Sequence, residues 1–361
     1  MSNLQLPTVS VSGSPSEMGE SLGESLREMA QGLVALRLKN AGDYLAERRI
    51  EGGMNLYRKA GAACLKQLES WDPVGFAELS GTARGADIPL LDLYSAVNLT
   101  DIRDVSSIGS VDGSMDEGCT AFMAPGREGG PLVVGQTWDL NAGDVDFVVA
   151  VHRLPTDGPE TWSVTVAGAP TLIGMNEHGL WVGTTNIKVR GARPGVGYLD
   201  IQHRVIREQD HRSAVKLVME APRAAAHTYW YADASGGVEL ECSADHVVQR
   251  PLDDTVLVQT NHCLETSHVE MEGEPPQPSS CARLARATEI LAKGKLTPEH
   301  VRVMMSDRSD GALSINRIPE DGEPTTTNAC TIGIPETRTF EACRGGADRG
   351  VWVTLGFDRG S

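Results

Sequence analysis

The chain has 361 residues, 40% of them hydrophobic, with 32 Lys and Arg against 49 Asp and Glu for a net charge of −17. That charge repels a phosphate backbone and argues against nucleic acid as a partner. Thirty-nine glycines and 19 prolines follow no period, which sets aside collagen-like and repeat architectures.

Residues 1–17 show neither a basic stretch nor an apolar run of the secretory type, and apolar runs such as 147–151 are far too short to span a bilayer. Ser14–Pro15 with Glu17 predicts a helix start, followed by Met18, Leu22, Leu26, Met29, Leu33 and Leu36 at helical spacing. Further helices are expected over roughly 45–68 and 76–86, with another beginning at Pro89. Residues 105–118, VSSIGSVDGSMDEG, are small, polar and glycine-rich, a loop signal and a natural cleavable connection.

The pattern then turns to short strands over 120–124, 132–140, 147–154, 162–167, 171–175 and 180–186, split by glycine-containing turns such as Gly126–Gly130. Their close spacing predicts antiparallel hairpins. Helices are expected at 198–208 and 212–220, a hairpin over 228–242, a strand at 255–260, helices at 281–293 and 298–305, and strands at 330–334 and 351–357. Helices alternating with runs of strands give an α+β sandwich in which helices cover antiparallel sheets.

Seven cysteines (64, 119, 242, 263, 281, 330 and 343) form no CxxC pair, a pattern of reduced, cytoplasmic usage. Cys119 stands apart, because it follows a glycine where the loop passes into a strand. Its thiol can attack the unhindered Gly118 carbonyl, and hydrolysis of the resulting thioester frees the Cys119 α-amine. With a reference pKa of about 7.7–8.0, that amine serves as a base near neutrality, so one residue carries nucleophile and base.

The stretches GCTAF (118–122), VVGQTWDL (133–140), GMNEHGLWVGTTN (174–186), VQTNHCL (258–264) and SINR (314–317), with SPSEMGESLGES (14–25) and AELSGTARGADIPLLDLYSAVNLTDI (77–102), resemble the isopenicillin N acyltransferase type of N-terminal-nucleophile hydrolase. The resemblance implies a four-layer αββα sandwich. It implies one globule cut between Gly118 and Cys119, with a helical fragment 1–118 and a fragment 119–361 that stay associated. It assigns Cys119 as nucleophile, Asp139 as the carboxylate that orients its amine, Asn261 as oxyanion donor, Asn186 as a second polar pocket residue and Arg317 as electrostatic support. Gln136 stands where bile-salt hydrolases carry arginine, which points to the acyltransferase-type branch.

The implied reaction is hydrolysis of a small-molecule amide through a thioester, with acyl-CoA-dependent N-acyl transfer as the alternative and a non-catalytic binding module as a third. No cofactor or metal is expected: His262, Cys263 and His268 match no zinc-finger spacing. Outside the resemblance, Asp139 reads as a strand-end turn residue and Asn261 as a turn asparagine. Asp139, Asp144 and Asp146 together suggest an amine-bearing substrate. Homo-oligomerisation is left open.

Overall fold

A computed structural model describes residues 4–106, 118–127, 129–273, 275–293 and 296–358. Most of the expected cleavable loop, residues 107–117, and position 128 of the turn at 126–130 lie outside the described residues. The first element is a strand that the pattern did not announce, β1 (Thr8–Gly13). Ser14 then opens α1 (Pro15–Ser25), where Glu17 Oε2 accepts from the Ser14 N–H at 2.8 Å and from its hydroxyl at 2.6 Å. This is the arrangement that Ser-x-x-Glu encodes at a helix start.

Next come α2 (Arg27–Glu47) and α3 (Gly53–Trp71). The single stretch expected over 45–68 is therefore broken at its beginning. Arg49 and Gly52 adopt positive φ in the intervening turn, a conformation that glycine takes without a steric penalty. The helical segment closes with α4 (Pro73–Ala86), α5 (Leu90–Val97) and α6 (Leu99–Ser106). Helices α1 and α4 cross with their backbones touching. A Cβ added at Gly19 would lie 1.9 Å from the Glu78 carbonyl oxygen, and one at Gly85 would lie 2.1 Å from that of Glu20.

Six strands follow within a few residues of expectation: β2 (Gly118–Ala124), β3 (Val133–Asn141), β4 (Val148–Pro155), β5 (Thr161–Val166), β6 (Ile173–Asn176) and β7 (Trp181–Asn186). After α7 (Tyr198–Val205) and α8 (His211–Glu220) come β8 (His227–Asp233), β9 (Gly236–Cys242), β10 (Val247–Pro251) and β11 (Leu257–Gln259). The chain ends with α9 (Thr266–Val269), α10 (Pro278–Leu291), α11 (Pro298–Met305), β12 (Thr325–Ile334), β13 (Thr339–Arg344) and β14 (Val353–Thr354).

These strands make two sheets, ordered β1-β4-β5-β6-β7-β8-β9-β10 and β11-β2-β3-β12-β13-β14. All pairings among these strands are antiparallel except β1 with β4. The sheets face each other through β2 and β7; α10 and α11 cover the smaller sheet, and α1, α7 and α8 pack on the larger. The chain thus forms the four-layer α+β sandwich that the resemblance implied. Gln136 fastens the two sheets. Its amide donates to the Thr184 carbonyl and accepts from the Thr184 N–H at 2.9 Å.

Buried charges tie the helical segment to the strand-rich one. Arg37 of α2 meets Asp144 at 3.0 Å. Glu78 of α4 meets Arg153 of β4 at 2.7 Å and His203 of α7 at 3.1 Å. Burial alone would raise the Glu78 carboxyl, but these two partners overcome it and hold the group well below the usual carboxylate range. No described helix is long and apolar enough to cross a membrane.

Candidate active site

Strand β2 alternates its side chains between two layers, as a strand must. Cys119, Ala121 and Met123 belong to the core shared with the facing sheet, while Phe122 and Ala124 pack under α10 and α11. Cys119 therefore faces the opposite sheet. It lines a small cavity of about 20 Å³ with Trp138, Asp139, Leu140, Leu172, Thr184, Asn186, Tyr198, His227 and Thr100.

Behind Cys119 the peptide is held from both ends. Its N–H donates to Asn261 Oδ1 at 2.8 Å. Its carbonyl accepts from Arg283 Nη1, and Arg283 Nη2 donates to Asn261 Oδ1 at 2.9 Å. The Asn261 oxygen thus faces two donors, while its nitrogen donates to the Asn186 carbonyl at 3.0 Å. The turn carrying Asn261 is pinned to the first turn of α10, where the Ser280 hydroxyl accepts from the Asn261 N–H at 2.8 Å.

On the other face of β2, Gly118 pairs with Asp139 of β3. A Cβ at Gly118 would come within 2.8 Å of Asp139 Oδ2 and 3.0 Å of Arg317 Nη1. Glycine is what lets both side chains approach the backbone here. Arg317 reaches the position because its N–H donates to Thr327 Oγ1 at 2.9 Å and Thr327 N–H donates back to its carbonyl at 2.9 Å. Thr327 is the β12 residue paired with Asp139. Gly118, Cys119, Asp139, Asn186, Asn261 and Arg317, scattered over two hundred residues of sequence, are therefore gathered around one peptide.

Sequence reasoning did not single out Arg283, His227, Asp101 or Thr100. Arg283 left a readable signal: Ser280, Arg283, Ala287 and Leu291 form the buried stripe of α10, so an arginine sits at a core position of an amphipathic helix. His227 left less, as one of three inward residues with Tyr229 and Tyr231 on a fully buried strand.

One expectation is corrected. Asp144 and Asp146 do not join Asp139 in an acidic pocket, because Asp144 is neutralised by Arg37 and Asp146 is exposed against Arg344 at 3.0 Å. The basis for an amine-bearing substrate falls with them. Gln136 is not among the residues that line the cavity; its amide is bonded to Thr184 of the facing sheet. His262, Cys263 and His268 diverge to separate partners: Ser280 at 2.7 Å, Glu272, and Glu241 at 3.1 Å. Among the described residues, three side chains that could ligate a metal come together at His152, Glu160 and Asp358. There Glu160 already binds His152 at 2.6 Å and the Asp358 N–H at 2.7 Å.

No curated protein matches the chain in sequence. Among solved structures, it is similar to penicillin V acylase from Agrobacterium tumefaciens, at 14% identity and a TM-score of 0.46, covering 66% of this chain and 86% of that one. It is also similar to an N-acylethanolamine-hydrolyzing acid amidase ortholog from Caenorhabditis elegans, at 16% identity and a TM-score of 0.46, covering 66% and 100%. A conjugated bile acid hydrolase variant from Clostridium perfringens follows at 10% identity and a TM-score of 0.45, covering 67% and 97%. A family model matches residues 127–348, a span that holds Asp139, Asn186, Asn261, Arg283 and Arg317 and begins just after Cys119. On that match the chain belongs to the acyl-coenzyme A:6-aminopenicillanic acid acyl-transferase family.

Proposed function

We propose that the protein is a self-processing cysteine hydrolase of small-molecule amides. The observation that carries this reading is the 2.8 Å hydrogen bond from the Cys119 N–H to Asn261 Oδ1. The nitrogen that must leave during self-cleavage, and must act as base afterwards, is already held.

In maturation Cys119 Sγ adds to the Gly118 carbonyl carbon and the thiol proton passes to the Cys119 nitrogen as the C–N bond breaks. Water then hydrolyses the Gly118 thioester, releasing the Gly118 carboxylate, the thiol and the α-amine. In turnover the amine takes the thiol proton, Sγ attacks the substrate carbonyl, and the proton goes to the departing amine. Water resolves the acyl-enzyme. Asp139 and Arg317, close to residue 118, hold the ammonium form and stabilise the thiolate respectively.

The oxyanion role expected for Asn261 passes in this reading to Asn186. Asn261 spends its nitrogen on the Asn186 carbonyl, whereas the Asn186 side chain lines the cavity beside Cys119. Trp138, Leu140 and Leu172 suit an apolar acyl group. The fragments 1–118 and 119–361 stay together through Arg37–Asp144 and Glu78–Arg153.

The family's description favours a second reading, transfer of the acyl group from acyl-coenzyme A to an amine. Offering the acyl-enzyme water against an amine and counting products separates the two. Denaturing mass spectrometry tests the first step: the parent gives two fragments and Cys119→Ala gives one inactive chain. A parent that stays whole and inactive sinks the reading and leaves a binding module on the same fold, and an active Cys119→Ala overturns the nucleophile assignment.

A further inference from the structure

The helical segment brings two polar residues, one lining the cavity and one behind it, that nothing in the reaction above uses. Thr100 of α6 lines it, with a buried hydroxyl that has no hydrogen-bond partner among the described residues. Asp101, next in α6 and also buried, reaches across to the strand-rich segment. Its Oδ2 accepts the Tyr198 N–H at 2.7 Å, and its Oδ1 lies 3.4 Å from His227 Nδ1. The other ring nitrogen of His227, Nε2, lies 3.3 Å from Asn186 Nδ2. The ring is clamped in place, stacked on Tyr198 with centroids 4.2 Å apart and planes 9° from parallel.

The chemistry of these groups leaves one arrangement. A neutral imidazole has one N–H and one lone pair. Burial first, and Arg103 second, push the His227 pKa down to about 3, so the ring is neutral at working pH. A carboxylate only accepts, and although the 3.4 Å approach is not aligned as a hydrogen bond, its charge favours the N–H on Nδ1 and the lone pair on Nε2. That lone pair requires the NH₂ end of Asn186, not its oxygen. Once one of its two protons is committed to His227, the Asn186 amide cannot flip without breaking the chain of contacts.

We infer that Asp101 and His227 are positioning residues that hold the Asn186 carboxamide with its nitrogen toward the cavity, so that the helical segment supplies part of the active site. The inference rests on the Cys119 reading. It makes the segment before the cut more than a maturation sequence. Cleaved protein stripped of residues 1–118 would keep Cys119, Asn261 and Arg317 but lose the group that sets the Asn186 donor.

The test is a pair of double-mutant cycles on self-cleaved protein, with a nitrophenyl ester of a short fatty acid as acyl donor. Asn186→Ala lowers kcat about 10²-fold. His227→Leu, which removes the acceptor, and Asp101→Asn, which frees the tautomer, each lower kcat about 10- to 100-fold with KM little changed. Neither adds to the loss when Asn186 is already Ala. His227→Gln, which keeps an acceptor for Asn186, recovers most of the His227→Leu loss. Should His227→Leu fail to fold, the Asp101→Asn cycle decides. Losses that multiply in the Asn186→Ala background, an Asn186→Ala protein as fast as the parent, or His227→Gln no better than His227→Leu overturns the inference. Failure of the Cys119 reading looks different, since Cys119→Ala would then hydrolyse the ester as the parent does.

Discussion

The two segments on either side of Gly118 solve the packing problem in opposite ways. The strand-rich segment builds its interior from large apolar side chains, with Trp181 fully buried in the core that the two sheets share and Phe122 fully buried beneath α10 and α11. The helical segment gains its closest contact by removing side chains altogether, at the glycines where α1 crosses α4, and it is joined to the sheets by buried charges in addition to a shared apolar core. A sheet interior stabilises itself, because burial of apolar area does not depend on a particular partner. A buried ion pair is strongly felt only when broken, since the remaining charge is then stranded. The buried charges therefore bind the helical segment specifically to this sandwich, as the proposed cut between Gly118 and Cys119 would require of a fragment that stays in place.

Breaking the charged junction carries the largest effect. Glu78→Ala strands Arg153 and His203 and should cost about 3–5 kcal/mol, read by urea unfolding of the cleaved protein. Its pH dependence gives the sign. The folded-state pKa lies below the unfolded value, so the contribution is present in full above about pH 4.5 and is lost as pH falls through the folded value. Stability of Glu78→Ala that matches the parent at neutral pH would refute the junction.

Within the strand-rich segment, Asn261→Ala removes the acceptor of the Cys119 nitrogen. It should slow turnover about 10²-fold by misplacing the base and slow self-cleavage with it, followed as a time course on denaturing gels. At the helix crossing, Gly23→Ala pushes a methyl into the Thr82 carbonyl at 2.2 Å and should cost about 1–3 kcal/mol, with activity of the folded fraction unchanged.

The smallest effect is at Asp200, where burial raises the pKa to about 7 despite the Asn98 amide, which donates to it at 2.9 Å. A folded pKa above the unfolded one means that stability declines as pH rises from about 4 to 7. Asp200→Asn should therefore melt a few degrees higher than the parent at pH 8 and show little gain at pH 4.

Most of the fold was legible because its signals are local. Strands β2 to β7 alternate or run apolar between glycine turns, and the Ser14–Glu17 start is written in four residues. Strand β1 escaped because TVSVSG is mostly small and polar, and its partner β4 lies more than a hundred residues away. The break between α2 and α3 depends on φ angles that helical periodicity does not report. At the site, Cys119 stood out by its place after a glycine-rich loop, whereas Asp139, Asn186, Asn261 and Arg317 were reached through the family resemblance, not through spacing. Arg283, Asp101 and His227 were missed because a buried ionisable residue looks like a surface one until its neighbours are known.

The account turns on one nitrogen. Purified protein would be denatured and weighed after brief reaction with the nitrophenyl ester. The expected result is a fragment that begins at Cys119 and carries one acyl group on that residue, both absent from Cys119→Ala. An unbroken chain with no acyl group on Cys119 would contradict it.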